Sequence, residues 1–261
     1  MEIQYVLEEK GGPVLALAIH DGHQIANQIS PLMNLSESER LREEDPYTGL
    51  LTDLDTNRLL IKTSRFQIDL NRPIQDAVYI HPDQAWGLQV WKQPPTKAIV
   101  AQLHQSYHYI QKLLSLIIEN SIQQFGYFII YDIHSYNAKR LGPDEVVDTK
   151  TNPQINIGTI NNTGIWRPLI DNFMKYLKEH KINGQTIDAR ENVKFSGGYL
   201  SKWINSKYGQ KGCVISIEFR KDFMNEWTGV PNLEHIESLK KILHSSISFI
   251  KQSYQNHYGS K

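Results

Sequence analysis

Short, wholly apolar runs recur along this chain, separated by longer stretches with helical periodicity. Val14-Leu15-Ala16-Leu17-Ala18-Ile19 is one run, Tyr127-Phe128-Ile129-Ile130-Tyr131 a second, and Cys213-Val214-Ile215-Ser216-Ile217 a third. A run that is apolar on both sides of the pleat belongs to a strand covered on both faces. Strands joined by helical crossings lie mostly parallel in one sheet. Residues 58–62 and 65–70 also read as strands, with Pro73 ending the second. After Thr96, apolar residues recur at Ile99, Leu103, Tyr107, Ile110, Leu114 and Ile117, a helical stripe that Gly126 closes. Further helices are predicted over residues 165–180, from Gly197-Gly198 toward Tyr208, and over 233–250. Ser36-Glu37-Ser38-Glu39 has the spacing of a capping box opening a short charged helix. The expected fold is α/β: a single domain over residues 1–261, with a mixed, mostly parallel central sheet and helices on both faces. The loop-rich stretch 73–95, with Trp86 and Trp91, is expected to form a wall or lid over the site.

Lysine plus arginine and aspartate plus glutamate each number 28 in the 261 residues, so the formal charge is zero. No basic face for nucleic acid or anionic membrane is implied. No apolar run is long enough to span a bilayer, and no signal peptide is read at the start. The one cysteine, Cys213, lies inside an apolar run and reads as an inert core thiol. These features lead to the expectation of a reducing, cytoplasmic location.

The ends of the apolar runs carry the chemistry. His20 and His23 follow the first run in Ile19-His20-Asp21-Gly22-His23, and His134 ends the second in Asp132-Ile133-His134-Ser135. Imidazoles at the ends of separate strands are the material of a three-ligand zinc site with an open position. Asp132 and His134 are two apart on a strand and share a face, so the carboxylate can orient the ring. Arg42-Glu43-Glu44-Asp45 packs three carboxylates before Pro46. By composition this is a solvated helix end; functionally, Asp45 would complete the metal shell. Arg65 and Arg72 flank Asp69-Leu70-Asn71, and two arginines in one short segment suit an anion. Glu218 follows the third apolar run, where a carboxylate needs a partner or a raised pKa, as a general base does. His104 and His108 stand four apart on the long helix, but Gln105 replaces the glutamate of the helical zinc-protease motif. A serine nucleophile has no Gly-x-Ser-x-Gly elbow to sit on.

In their joint order, several pieces resemble the N-formylglutamate amidohydrolase family, a branch of the zinc hydrolases with the carboxypeptidase-like phosphorylase/hydrolase fold. They include Ala18-Ile19-His20-Asp21-Gly22-His23, Glu43-Glu44-Asp45-Pro46-Tyr47-Thr48-Gly49, Asp69-Leu70-Asn71-Arg72-Pro73, Asp132-Ile133-His134-Ser135, Ser196-Gly197-Gly198-Tyr199 and Glu218-Phe219-Arg220-Lys221. The resemblance implies one zinc ion, held by His20 and His134 with either His23 or Asp45 as the remaining ligand. It implies Glu218 as general base, Arg65 at the developing oxyanion, and Asn71 and Arg72 on a substrate carboxylate. The implied partner is a small N-acyl amino acid, N-formyl-L-glutamate foremost, cleaved by metal-activated water. A zinc carboxypeptidase, an N-acyl amino acid deacylase of other specificity and a non-catalytic binding protein of the same fold remain as alternatives.

Overall fold

Along the chain come β1 (Tyr5–Glu8), β2 (Val14–Ala18), α1 (Glu37–Glu43), α2 (Thr48–Leu51) and β3 (Asn57–Ile61), then α3 (Lys97–Phe125), β4 (Phe128–Tyr136) and β5 (Ile155–Gly158). They are followed by α4 (Arg167–Glu179), β6 (Lys181–Ile182), β7 (Gln185–Thr186), β8 (Ala189–Glu191), α5 (Tyr199–Tyr208), β9 (Gly212–Arg220) and α6 (Leu233–Tyr258). The computed structural model describes residues 1–259. Seven strands form one sheet in the order β1-β3-β2-β4-β9-β5-β8, while β6 and β7 make a separate ribbon. The β3–β2, β2–β4, β4–β9 and β5–β8 pairs are parallel, and the β1–β3 and β9–β5 pairs antiparallel. This is the mixed, mostly parallel sheet that the apolar runs imply.

Side-chain alternation divides the core into two layers. Val14, Ala16, Ile129, Tyr131, Cys213 and Ile215 face one way and pack with α4 and α6 through Phe173, Leu177, Leu239 and Leu243. Leu15, Leu17, Ile130 and Val214 face the other way and pack with α3 and α5 through Leu103, Tyr107, Leu200 and Ile204. Helices therefore cover both faces, and β2 is buried along its whole length. Local signals set the helix ends. Thr96 caps α3 by accepting the Ile99 N–H, and Gly126 ends it at φ +83°. The Ser36–Glu39 capping box is fully formed at the start of α1, a feature worth ~1 kcal/mol. Among the described residues no helix is long and apolar enough to cross a membrane.

Two expectations change. Residues 65–70 form turns, not a strand. Apolar Phe66, Ile68 and Leu70 alternate with polar residues in the sequence, which imitates a strand, but Gln67 and Asp69 between them are buried as well. However, the Phe66 N–H donates to Ser64 Oγ, the Gln67 N–H to the Ser64 carbonyl and the Asn71 N–H to Asp69, so local partners satisfy the backbone. In the 73–95 stretch the two tryptophans separate. Trp91 is buried in the core and donates its indole N–H to the Tyr79 carbonyl, whereas Trp86 is exposed at the rim of the site. The short strands β1, β5 and β8 went unread in the sequence.

Candidate active site

The parallel register of β4 and β9 places His134 directly opposite Glu218 and Asp132 opposite Ser216. All four lie at even positions, on the face shared by Phe128, Ile130 and Val214, close to the carboxyl ends of the strands. His20 arrives there just past the end of β2. Its backbone carbonyl accepts the N–H of Asp45, which ties the turn after α1 to the turn after β2. Gly22 lets this segment lie against the next. A Cβ there would sit 2.3 Å from the carbonyl carbon of Lys62, so the glycine serves a close approach of two backbones.

His20, Asp45 and His134 are buried and form a group whose ligand atoms all lie within 4.8 Å of one another. Asp45 Oδ2 stands 3.1 Å from Nδ1 of His134 and 3.5 Å from Nδ1 of His20. On the far side of each ring, Nε2 of His20 lies 2.7 Å from Asp69 and Nε2 of His134 lies 2.9 Å from Asp132. Each carboxylate accepts a hydrogen bond from Nε2–H and thereby turns Nδ1 toward Asp45, the arrangement that orients metal-binding imidazoles. Nδ1 of His20 is buried with no hydrogen-bond partner among the described residues. An orphaned nitrogen beside an acidic oxygen and a second imidazole is the donor set of a divalent cation. Burial by itself would raise the Asp45 pKa, but the His134 hydrogen bond and the neighbouring His20 imidazole outweigh it and keep the group ionised. Burial also opposes a charge on His134, yet Asp132 and Asp45 hold its pKa well above the ordinary imidazole range.

His23 takes a different direction. Its Nδ1 faces Glu44, which also accepts the Ser64 hydroxyl, and it lies outside the His20–Asp45–His134 group. The Glu43-Glu44-Asp45 tract is buried, not solvated. Its three carboxylates diverge: Glu43 to Arg140 at 2.7 Å, Glu44 to His23 and Ser64, and Asp45 to the two histidines. Neither His104 nor His108 belongs to a metal-capable group among the described residues.

A cavity of about 490 Å³ opens onto this group, a volume in the range of small-molecule sites. His20, Asp45, His134, Arg65 and Glu218 all contribute to its wall. Desolvation, aided by the charges of Asp45 and Asp132 and opposed by His134 and Arg65, brings the Glu218 carboxyl up to about 8. Arg65 pairs with Asp69 at 2.8 Å, and its guanidinium stacks 4.9 Å from the Trp86 ring. Asn71 and Arg72 also line the cavity, and Asn71 Oδ1 accepts the Leu200 N–H at the start of α5.

A sequence model of N-formylglutamate amidohydrolases matches residues 12–224. The chain belongs to the N-formylglutamate amidohydrolase family. This family indicates a hydrolase of carbon–nitrogen bonds other than peptide bonds. Among solved structures, an N-formylglutamate amidohydrolase from Ralstonia eutropha superposes with a TM-score of 0.75 at 18% identity, covering 95% of this chain and 98% of that one. A gene product from Agrobacterium tumefaciens follows at TM-score 0.68 and 15% identity, covering 97% and 94%. A metallo-carboxypeptidase from Burkholderia cenocepacia gives 0.36 at 13% identity, covering 96% and 65%. The first two share the fold seen here. Comparison with curated proteins gives no match.

Two residues of the site carried no role in the sequence reading. Asp69 is fully buried and accepts from His20, Arg65, Tyr79 and the Asn71 N–H. Lys221, also buried, donates to the carbonyls of Arg42, just before the acidic tract, and Glu44, within it, and burial lowers its pKa to about 8. Both sit inside motifs that the sequence displays. The available signal was a charged residue next to an apolar run, which requires a partner.

Proposed function

We propose that this protein is a metal-dependent amidohydrolase that removes a small N-acyl group, N-formyl foremost, from an acidic amino acid such as N-formyl-L-glutamate. The observation that carries this reading is the convergence of the buried His20–Asp45–His134 group and Glu218 on one cavity, in a chain of this family. Nδ1 of His20, Nδ1 of His134 and the Asp45 carboxylate would hold one divalent ion, with zinc suited to an N,N,O donor set. Such an ion supplies Lewis acidity, polarising the acyl carbonyl and lowering the pKa of water from ~15.7 toward ~7.

The chain's own groups do the rest. Glu218 takes the proton of the attacking water as oxygen bonds to the acyl carbon. A carboxyl whose pKa lies near neutrality suits both that step and the return of the proton to the leaving amine nitrogen. The Arg65 guanidinium, held by Asp69 and covered by Trp86, stabilises the developing oxyanion; one preorganised donor is worth ~3–4 kcal/mol. Arg72 anchors a carboxylate of the amino acid, and Asn71 fixes the start of α5 beside it. The products are the short acid, formate in the leading case, and the free amino acid.

The test is a substrate panel of N-formylglutamate, N-succinylglutamate, N-acetylaspartate and dipeptides, assayed with added zinc and after chelation. The expected result is fastest turnover of N-formylglutamate, abolished by the chelator and restored by about one equivalent of zinc. Full activity in the chelator, or preference for dipeptides, would refute the reading.

A further inference from the structure

Five basic side chains line the cavity: Arg65, Arg72, Arg140, Lys202 and Lys221. Three are already committed within the protein. Arg65 pairs with Asp69 at 2.8 Å, Arg140 pairs with Glu43 at 2.7 Å, and Lys221 donates to two backbone carbonyls. The other two have no carboxylate partner among the described residues. Among the described residues, Arg72 makes one long hydrogen bond, 3.5 Å to the Gln84 carbonyl, lies 5.9 Å from the centre of the Tyr79 ring, and has no ion pair. Lys202 has neither an ion pair nor a side-chain hydrogen bond among them.

These two cations are held on the same wall by a built joint. Asn71, next to Arg72, accepts the Leu200 N–H at 2.9 Å, and Lys202 is two residues further along α5. The joint is tight: a Cβ on Gly198 would lie 2.2 Å from Asn71 Oδ1, so only glycine admits the contact. The position of Lys202 is electrostatically unfavourable in the free protein. It stands in the first turns of α5, whose first turn holds no acidic residue, so its charge adds to the positive end of the helix. Two uncompensated cations and a helix start facing one cavity are stabilised by a ligand that brings matching negative charge.

We infer that Lys202 is a specificity-determining residue: it takes a second carboxylate of the substrate while Arg72 takes the first, so the cavity selects dicarboxylic N-acyl amino acids over their neutral isosteres. This rests on the amidohydrolase reading above and adds to it the choice between an acidic and an amide side chain. Arg72, with its planar fork, suits the fixed carboxylate next to the reacting nitrogen. Lys202, on a flexible stem, suits the carboxylate at the end of a side chain.

The test compares wild type, Lys202→Gln and Lys202→Arg, all zinc-loaded, on N-formylglutamate and N-formylglutamine. Lys202 is exposed, so its replacement leaves the core intact. Wild type is expected to prefer the glutamate compound in kcat/KM. In Lys202→Gln that ratio should fall about ten- to a hundredfold, mainly through KM, the scale of one charged hydrogen bond, and Lys202→Arg should restore most of it. An unchanged ratio in Lys202→Gln would overturn the inference. If wild type hydrolyses neither compound, the amidohydrolase reading has failed, and calorimetric titration with glutarate and with butyrate decides the inference. Glutarate binding weakened about tenfold or more in Lys202→Gln, with butyrate binding weakened less, upholds it; equal glutarate affinity in the two proteins overturns it.

Discussion

Asp69→Asn separates a site built around its supporting carboxylate from one that tolerates its loss. The Asp69 carboxylate is fully buried and accepts four donors. Oδ1 takes the His20 Nε2–H and the Asn71 N–H, each at 2.7 Å, and Oδ2 takes Arg65 at 2.8 Å and the Tyr79 hydroxyl. An amide has one accepting oxygen and one donating nitrogen. If its oxygen replaces Oδ1, Tyr79 can rotate its hydroxyl to accept, but Arg65 is left facing an N–H. If it replaces Oδ2, His20 loses the partner that fixes its tautomer. Removing one half of a buried ion pair costs ~3–5 kcal/mol. With the Arg65 side chain 11% exposed, the lower end applies, ~3 kcal/mol. For a chain of this length that lowers Tm by about 6–12 °C. The metal effect is separate, because loss of a carboxylate behind a ligating histidine weakens metal binding about 10- to 100-fold. Burial alone would raise the Asp69 pKa, but Arg65 and His20 hold it well below the usual value. Its stabilisation is therefore complete above the unfolded-state pKa of ~3.9 and is lost as pH falls below it, so the variant's stability should depend less on pH on the acid side. Calorimetry and zinc competition against a chromophoric chelator read the two effects. A variant melting within about 2 °C of wild type and binding zinc within about twofold would refute the reasoning, both thresholds lying well inside the expected losses.

The third metal ligand is decided by comparing Asp45→Ala with His23→Ala. Asp45→Ala should lose bound zinc in elemental analysis while His23→Ala keeps about one equivalent, and the reverse pattern would move the site to His23. Glu218→Gln should retain its metal and lose about 10²- to 10⁴-fold in kcat; near-normal turnover would remove Glu218 from the role of base.

The parts of the molecule that could be read from sequence are those in which one physical requirement dominates. A strand buried on both faces must be apolar throughout, so β2, β4 and β9 announced themselves, and the polar residues at their ends marked the site. Parity then put Asp132 and His134 on one face, and the structure pairs them at 2.9 Å. The failures arise where two requirements produce the same pattern. Residues 65–70 alternate apolar and polar in sequence, yet Gln67 and Asp69 are buried with Phe66, Ile68 and Leu70, because a turn with hydrogen-bonded polar side chains can be buried on every side, and periodicity alone does not distinguish it from a strand. Composition reads Glu43-Glu44-Asp45 as a solvated helix end because it counts charges without their partners. Beside the neighbouring Arg40 and Arg42, those partners are Arg140, His23, Ser64, His20 and His134, and all five of these lie outside the tract's own helix, far along the chain. Only the register that brings β2, β4 and β9 side by side shows that three adjacent carboxylates serve three separate sets of donors. The same argument explains Lys202. Its sequence neighbours mark it as an ordinary lysine of an amphipathic helix. Its meaning comes from what it lacks among the described residues, an acidic partner in a cavity where Arg65 and Arg140 both have one.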